Sequence, residues 1–231
     1  MRRDEDVRFS VVIPTLNEAT VIGEQVRRTL ALEPGAEVIV ADGGSDDATA
    51  ALAAQAGAIV VEGRRGRGSQ LNAGAAQATG DVLLFLHADT QLPANAFSLL
   101  RERFAAGDAQ IGTFRLAFDQ AHWLFAVYTF FSRFDSVFTT FGDQCIVVRR
   151  SFFLTLGGFP DWPLFEDVAL LQKARRQTRV HSFPAAVVTS ARRFEREGIV
   201  RQSLRNGWYV LRYLLGASPW DLAASYEREG A

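Results

Sequence analysis

The chain has 231 residues, with 25 Lys plus Arg against 26 Asp plus Glu and a formal net charge of −1. That balance excludes the global basic field of a nucleic-acid-binding protein, and 48% hydrophobic residues exclude disorder and supply a sizeable buried core. Cys145 is the only cysteine, which excludes an intrachain disulfide and a cysteine-based zinc cluster and points to a reducing cytoplasm.

The first six residues, Met1 to Asp6, lack the apolar stretch of a signal peptide. Phe9 to Pro14, "FSVVIP", is an apolar run closed by proline and reads as a buried strand. Glu18 to Leu32 carries apolar residues at roughly helical spacing and stops at Pro34-Gly35. Glu37 to Val40 is a second strand, followed by "ADGGSDDAT", where Ser45 or Asp46 is placed to cap an Ala-rich helix ending at Gly57. Ala58 to Val61 is a third strand, Leu71 to Ala78 a short helix, and Val82 to Leu86 a fourth strand.

The second half changes character. Ile111 to Phe118 alternates like an exposed or antiparallel strand. The aromatic stretch 121–141 is too short in its uncharged part to span a bilayer and reads as a core or interfacial helix. Cys145 to Val148 is another strand, residues 151–160 a short helix ended by glycines, 165–176 a helix, and 199–215 a last amphipathic helix. A chain of this length fits one domain, with a nucleotide-binding half at about 7–92 and an acceptor-side half at about 93–231.

Strands alternating with helices imply an α/β fold with parallel pairing and right-handed crossovers. Ligands on such sheets bind beyond the carboxyl ends of the strands. That rule places Pro14-Thr15, Asp42-Gly43-Gly44 and His87-Ala88-Asp89 on one rim. No G-x-G-x-x-G and no P-loop motif is present, which disfavours a dinucleotide cofactor or a P-loop NTPase.

Several side chains there have chemistry to offer. Asp42 can accept a hydrogen bond from a uracil or guanine N–H, or can serve as a turn residue. Asp89 is the candidate metal ligand, because Mg²⁺ and Mn²⁺ take oxygen donors and Mg²⁺ usually takes one or two carboxylates plus substrate phosphates. His87 is a second ligand, a substrate contact or a structural histidine. "GRRGRGSQLNAGA", 63–75, is either a flexible loop or a mobile one that brings Arg67 to a phosphate or base. Glu166-Asp167 opens a helix, where it either complements the dipole or supplies a general base. Gly142-Asp143-Gln144 is a turn or an acceptor contact.

Taken in order, "VVIPTLNE" (11–18), "VIVADGGSDDAT" (38–49), "GRGSQLNAGAAQATGDVLLFLHADT" (66–90), "GGFPDWPLFEDVAL" (157–170) and "TSARRF" (189–194) make the chain resemble a family 2 glycosyltransferase. Within that family it is similar to the small single-domain branch labelled as arsenosugar-biosynthesis-associated transferases. The resemblance implies a GT-A (Rossmann-like) fold with a mainly parallel central sheet flanked by helices. It implies that Thr15 and Glu18 flank the nucleotide, Asp42 reads the base, Arg67 approaches base or phosphates, and Asp89 ends the family's Asp-x-Asp motif. It also implies that Asp167 is the catalytic base and that Arg192 and Arg193 help bind the diphosphate or acceptor. His87 replaces the first Asp of Asp-x-Asp.

The expected activity is inverting sugar transfer from a UDP- or GDP-linked donor, with Mn²⁺ or Mg²⁺, to a small-molecule or lipid-linked acceptor. A sugar-nucleotide nucleotidyltransferase and a non-catalytic nucleotide-sugar-binding module are the competing readings. The expected location is cytoplasmic, with contact at the inner face of the membrane as an option, no nucleic-acid partner and no assigned oligomeric state.

Overall fold

A computed structural model describes residues 7–107 and 109–229; the signal-peptide reading of Met1 to Asp6 therefore lies outside the described residues. The eight strands among the described residues lie in one sheet, in the order β3-β2-β1-β4-β7-β6-β8-β5. The first part runs β1 (Phe9–Thr15), α1 (Ile22–Leu32), β2 (Glu37–Asp42), α2 (Thr49–Gln55), β3 (Ile59–Glu62), α3 (Arg67–Gln77) and β4 (Val82–Phe85). These four strands pair in parallel, as the alternation of strand and helix dictates.

The rest runs β5 (Thr90–Gln91), α4 (Ala96–Ala105), β6 (Ile111–Phe118), α5 (Trp123–Phe131), a 3₁₀ turn at Gly142–Gln144, β7 (Ile146–Arg149) and α6 (Arg150–Leu156). It then continues with α7 (Glu166–Arg175), β8 (His181–Thr189), α8 (Arg192–Glu197), α9 (Ile199–Leu214) and α10 (Pro219–Glu229). β7 runs antiparallel to both β4 and β6, whereas β8 is parallel to β6. The reversal delivers the start of β7 to the same rim as the end of β4.

Both faces of the sheet are covered. Val11 and Ile13 of β1 join Ile22 and Val26 of α1 in one core layer; Val12 joins Leu71 of α3 and Leu170 of α7 in the other. A strand buried on both faces reads as a continuous apolar run, which is why "FSVVIP" shows no alternation. β6 is likewise mostly buried; of the two expectations for it, the antiparallel strand is found, against β7, and the exposed one is not.

Four further expectations change. α1 starts at Ile22 because Glu18 closes a turn, its carbonyl accepting from the amides of Val21 and Ile22. α2 starts at Thr49, since the Ser45 hydroxyl is engaged by Asp42 and Asp47 receives the Thr49 amide at 2.9 Å. α5 covers nine residues, and 132–141 turns back across the surface. The glycine-rich 63–75 segment is helical from Arg67 onward.

The glycines of α3 are close-approach positions. A Cβ at Gly68 would lie 2.3 Å from the Pro160 carbonyl oxygen, and one at Gly74 would lie 2.4 Å from Val12 Cγ1. α3 thereby docks directly on the sheet and on the 157–165 loop. Asn72 locks that loop from both sides. Its Nδ2 donates to the Phe159 carbonyl at 2.9 Å and its Oδ1 accepts the Phe159 amide at 3.0 Å. Asn72→Ala removes both bonds and is expected to cost about 2 kcal/mol, lowering Tm by ~4–8 °C; a thermal melt of the variant checks this.

Candidate active site

The ends of β1 and β2 lie side by side, with Thr15 opposite Asp42 in register. Gln70 of α3 staples them from below, its Nε2 donating to the carbonyls of Thr15 at 2.7 Å and Ala41 at 2.9 Å. Gly43 has no Cβ because Gln70 fills that space, at 2.9 Å from where one would stand.

Asp42 is buried and fully engaged. It accepts from the Thr15 hydroxyl at 3.2 Å, the Ser45 hydroxyl at 2.5 Å, the Gly44 amide at 3.2 Å and the Ser45 amide at 2.9 Å. Burial alone would raise its pKa, but the Ser45 hydroxyl and amide, with Thr15 and Gly44, hold it below the ordinary carboxylate value. A base N–H therefore reaches this carboxylate only in exchange for one of the two hydroxyls. Pro14 precedes this pair at the rim, half-buried. At the rim's edge, Arg192 of α8 meets Glu18 at 3.7 Å. Arg193 stands on the same helix, and its side chain lies outside the described residues.

The second group of residues is a cluster of carboxylates. β4 ends in His87-Ala88-Asp89, with Ala88 buried, His87 and Asp89 half-buried, and the Thr90 amide donating to the His87 carbonyl at 3.2 Å. The 3₁₀ turn before β7 contributes Asp143, and the start of α7 contributes Glu166 and Asp167. Burial pushes Asp143 up to about 7, with the charges of Asp167 and Asp89 adding to the shift and Arg67 opposing it. Its Oδ1 is buried without a hydrogen-bond partner among the described residues. Glu166 is fully buried, and burial pushes it to about 7 against the pull of Arg67, whose guanidinium lies 3.5 Å away. Arg67, expected near a base or phosphate, thus sits among the acids.

Asp167 is held by backbone amides, accepting from Gly142 at 2.6 Å and Val168 at 2.8 Å. The absence of a side chain at 142 is required for this, since a Cβ there would be 3.0 Å from Asp167 Oδ2. Unlike Glu166, Asp167 keeps access to solvent. On its far side stands Tyr213 of α9, whose phenol is shifted upward by burial and by the Asp167 charge. Tyr213 stacks on Phe165 with ring centroids 4.6 Å apart.

Among the described residues three non-glycine residues have positive φ: Asn17 at 57°, Cys145 at 56° and Phe165 at 64°. Asn tolerates this region, but Cys and Phe do so at a cost of about 1–3 kcal/mol each. Each lies within three residues of a candidate site residue: Glu18, Asp143 or Glu166-Asp167. Such strain persists where the surroundings over-determine it, and it clusters at functional sites.

Asp42, Asp89, Glu166 and Asp167 were legible in the sequence. Gln70, Asn72 and Tyr213 were missed. Glutamine and asparagine in a helix carry no chemical signature, and Tyr213 reaches the site only through the packing of α9. Among the described residues no group of three or more His, Cys, Asp or Glu side chains is arranged to hold a metal. The donor set fits a cation held by one carboxylate and completed by ligand oxygens.

Residues 10–154 match the sequence profile described as Glycosyl transferase family 2. An undecaprenyl-phosphate 4-deoxy-4-formamido-L-arabinose transferase of Pectobacterium carotovorum subsp. carotovorum (strain PC1) is 35% identical over 162 residues, 64% of this chain and 45% of that protein. A protein of the same description from Pseudomonas aeruginosa (strain LESB58) is 34% identical over 126 residues, 49% of this chain and 37% of that protein. The chain thus spans less than half the length of these relatives. Among solved structures, the mannosyltransferase PcManGT from Pyrobaculum calidifontis in complex with GDP-Man and Mn²⁺ superposes with a TM-score of 0.64 at 21% identity, covering 95% of this chain and 73% of that one. S. aureus TarS 1–349 in complex with UDP superposes with a TM-score of 0.65 at 17% identity, covering 79% and 60%. The fold is GT-A, as these neighbours share it.

Asp143 and Glu166 bind protons more tightly in the folded state than at their ordinary values of 3.8 and 4.5. Their contribution to stability is complete below those values and is lost as pH rises through about 7. Wild type is expected to lose stability over that window. Asp143→Asn and Glu166→Gln are each expected to flatten the loss, as urea melts from pH 4 to pH 8 measure.

Proposed function

The chain belongs to glycosyl transferase family 2, and from that premise we propose that it moves a sugar from a nucleoside-diphosphate donor to an acceptor hydroxyl with inversion at the anomeric carbon. The observation that carries this reading is Asp167: a solvent-accessible carboxylate fixed by two backbone amides at the carboxyl rim of a parallel sheet. The nucleotide lies against Thr15 and Asp42, and its diphosphate faces the ends of β4 and α8.

Asp167 takes the proton of the acceptor hydroxyl as its oxygen bonds to the anomeric carbon. The bond from that carbon to the diphosphate oxygen breaks, and the nucleoside diphosphate leaves with the electron pair. Glu166 does not serve as base. It is fully buried and ion-paired to Arg67, so its task is to hold that guanidinium beside the reacting groups. Asp89, with His87 as second candidate ligand, would hold Mn²⁺ or Mg²⁺. When bound, the ion neutralises charge on the leaving diphosphate. Arg192, paired with Glu18 at the edge of the rim, adds positive charge on the same side.

The relatives' description includes a lipid phosphate, and the surface supports a lipid-linked acceptor here. α9, which brings Tyr213 to Asp167, also exposes Val200, Leu204, Trp208, Leu211 and Leu215. Their spacing of four, four, three and four residues is one helical stripe. No helix among the described residues is long and apolar enough to cross a membrane; an amphipathic helix lies on one instead.

Three results test the proposal. General-base catalysis contributes ~10²–10⁴-fold, so Asp167→Asn is expected to lower turnover by about that factor with nucleotide affinity kept. Full activity in that variant removes the assignment. Asp89→Ala is expected to abolish the Mn²⁺ dependence of UDP or GDP binding, read by titration calorimetry with and without the ion. Leu204→Glu with Trp208→Glu is expected to reduce co-sedimentation with phosphatidylglycerol vesicles severalfold, and unchanged sedimentation speaks against the lipid-facing role of α9.

A further inference from the structure

A second cavity opens away from the carboxylates. Its volume is about 350 Å³, and Arg103, Arg115, Arg133, Arg179, His181 and Ser182 are among its lining residues. Among the described residues no carboxylate lines it, and Asp42, Asp89, Asp143 and Asp167 lie elsewhere.

The fold builds this space through an irregularity in the sheet. β6 and β8 stay in register from Gly112–His181 to Thr113–Ser182, and pairing resumes at Arg115–Ala186. One residue on β6, Phe114, therefore faces three on β8, Phe183, Pro184 and Ala185. These three form the bulge, where Pro184 has no amide to leave unpaired. Arg115 and Ser182 flank the gap. Both present a buried polar atom, Nε and Oγ, with no hydrogen-bond partner among the described residues.

The charge is equally unusual. Elsewhere arginines are paired: Arg64 with Asp161, Arg101 with Glu33, Arg175 with Asp135, Arg205 with Glu197. Arg115, Arg133 and Arg179 have no ion pair among the described residues, and Arg133 only leans on the Phe130 ring at 5.6 Å. Guanidinium groups do not shed their protons in proteins, so the positive charge gathered around the cavity favours an anion there. Planar donor forks match phosphate oxygens two at a time. The volume lies at the small end of the range for small-molecule sites.

We propose that this cavity binds a ligand carrying one or two phosphate groups, held by Arg115, Arg133 and Arg179 with Ser182 as a further donor, at a site separate from the donor-sugar cleft. The phosphate belongs either to a soluble metabolite or to a lipid headgroup.

Inorganic pyrophosphate is the probe, titrated calorimetrically in EDTA so that metal-dependent nucleotide binding stays silent. Wild type is expected to bind it. Arg179→Ala and Arg133→Ala, both on the exposed lip of the cavity, are each expected to bind about tenfold more weakly, as loss of a charge-assisted contact implies. UDP binding in Mn²⁺ by both variants reports an intact fold. Wild type that ignores pyrophosphate, or variants that bind it as wild type does, overturns the proposal. Sedimentation with phosphatidylglycerol vesicles identifies the source. Pelleting that needs Arg179 and is competed by pyrophosphate assigns a headgroup; pelleting indifferent to both assigns a soluble ligand.

Discussion

Helix α3 is the part on which the rest of the site depends. One short helix carries Gln70, which holds the ends of β1 and β2 together, Asn72, which clamps the loop before α7, and Arg67, which meets Glu166. Gly68 and Gly74 let it come close enough to do all three, because any side chain there would collide with Pro160 or Val12. The geometry between the nucleotide rim and the candidate base is therefore set by a single rigid body. A shift in α3 would move both ends together, and precise placement of reacting groups is worth orders of magnitude in rate.

The electrostatics follow from the same arrangement. Asp89, Asp143, Glu166 and Asp167 share a small, partly dry volume with Arg67, which acts on both Asp143 and Glu166. Like charges in such a place cannot all be ionised without compensation. Asp143 and Glu166 respond by holding protons near neutrality, while Asp167 accepts from two backbone amides and keeps access to solvent. Such a surplus of carboxylates favours the binding of positive partners, and an incoming cation would displace the protons that Asp143 and Glu166 hold.

The sequence announced the sheet's first half because each of its strands is a continuous apolar run followed by a polar turn, and parallel topology then places Thr15, Asp42 and Asp89 on one rim. It announced Asp167 less by local chemistry than by family resemblance. What it hid has physical reasons. Only the start of α3, Arg67 to Gln70, reads as a loop, because glycine is a poor helix former, and the glycines of this helix are explained only by what they touch. β8 was not read as a strand, since Pro184 sits inside it and only the bulge makes that tolerable. β5 has two residues and exists through its pairing with β8. α4 was passed over although Phe97, Leu100 and Phe104 face the core at helical spacing, so there the pattern was present and unused. The basic cavity has no sequence signature at all, because its arginines come from four separate elements or their flanks.

The clamp between Asn72 and Phe159 joins positions 87 residues apart, and the bond between Thr90 and Thr189 joins positions 99 apart. Contacts of such sequence separation reward the chain only after long loops have closed, which slows folding. The parallel strands β1–β4 lie within residues 9–85, whereas Asp167 and the loop before it come from much further along the chain. The pieces of the candidate site therefore come together only once segments from both halves of the chain are present.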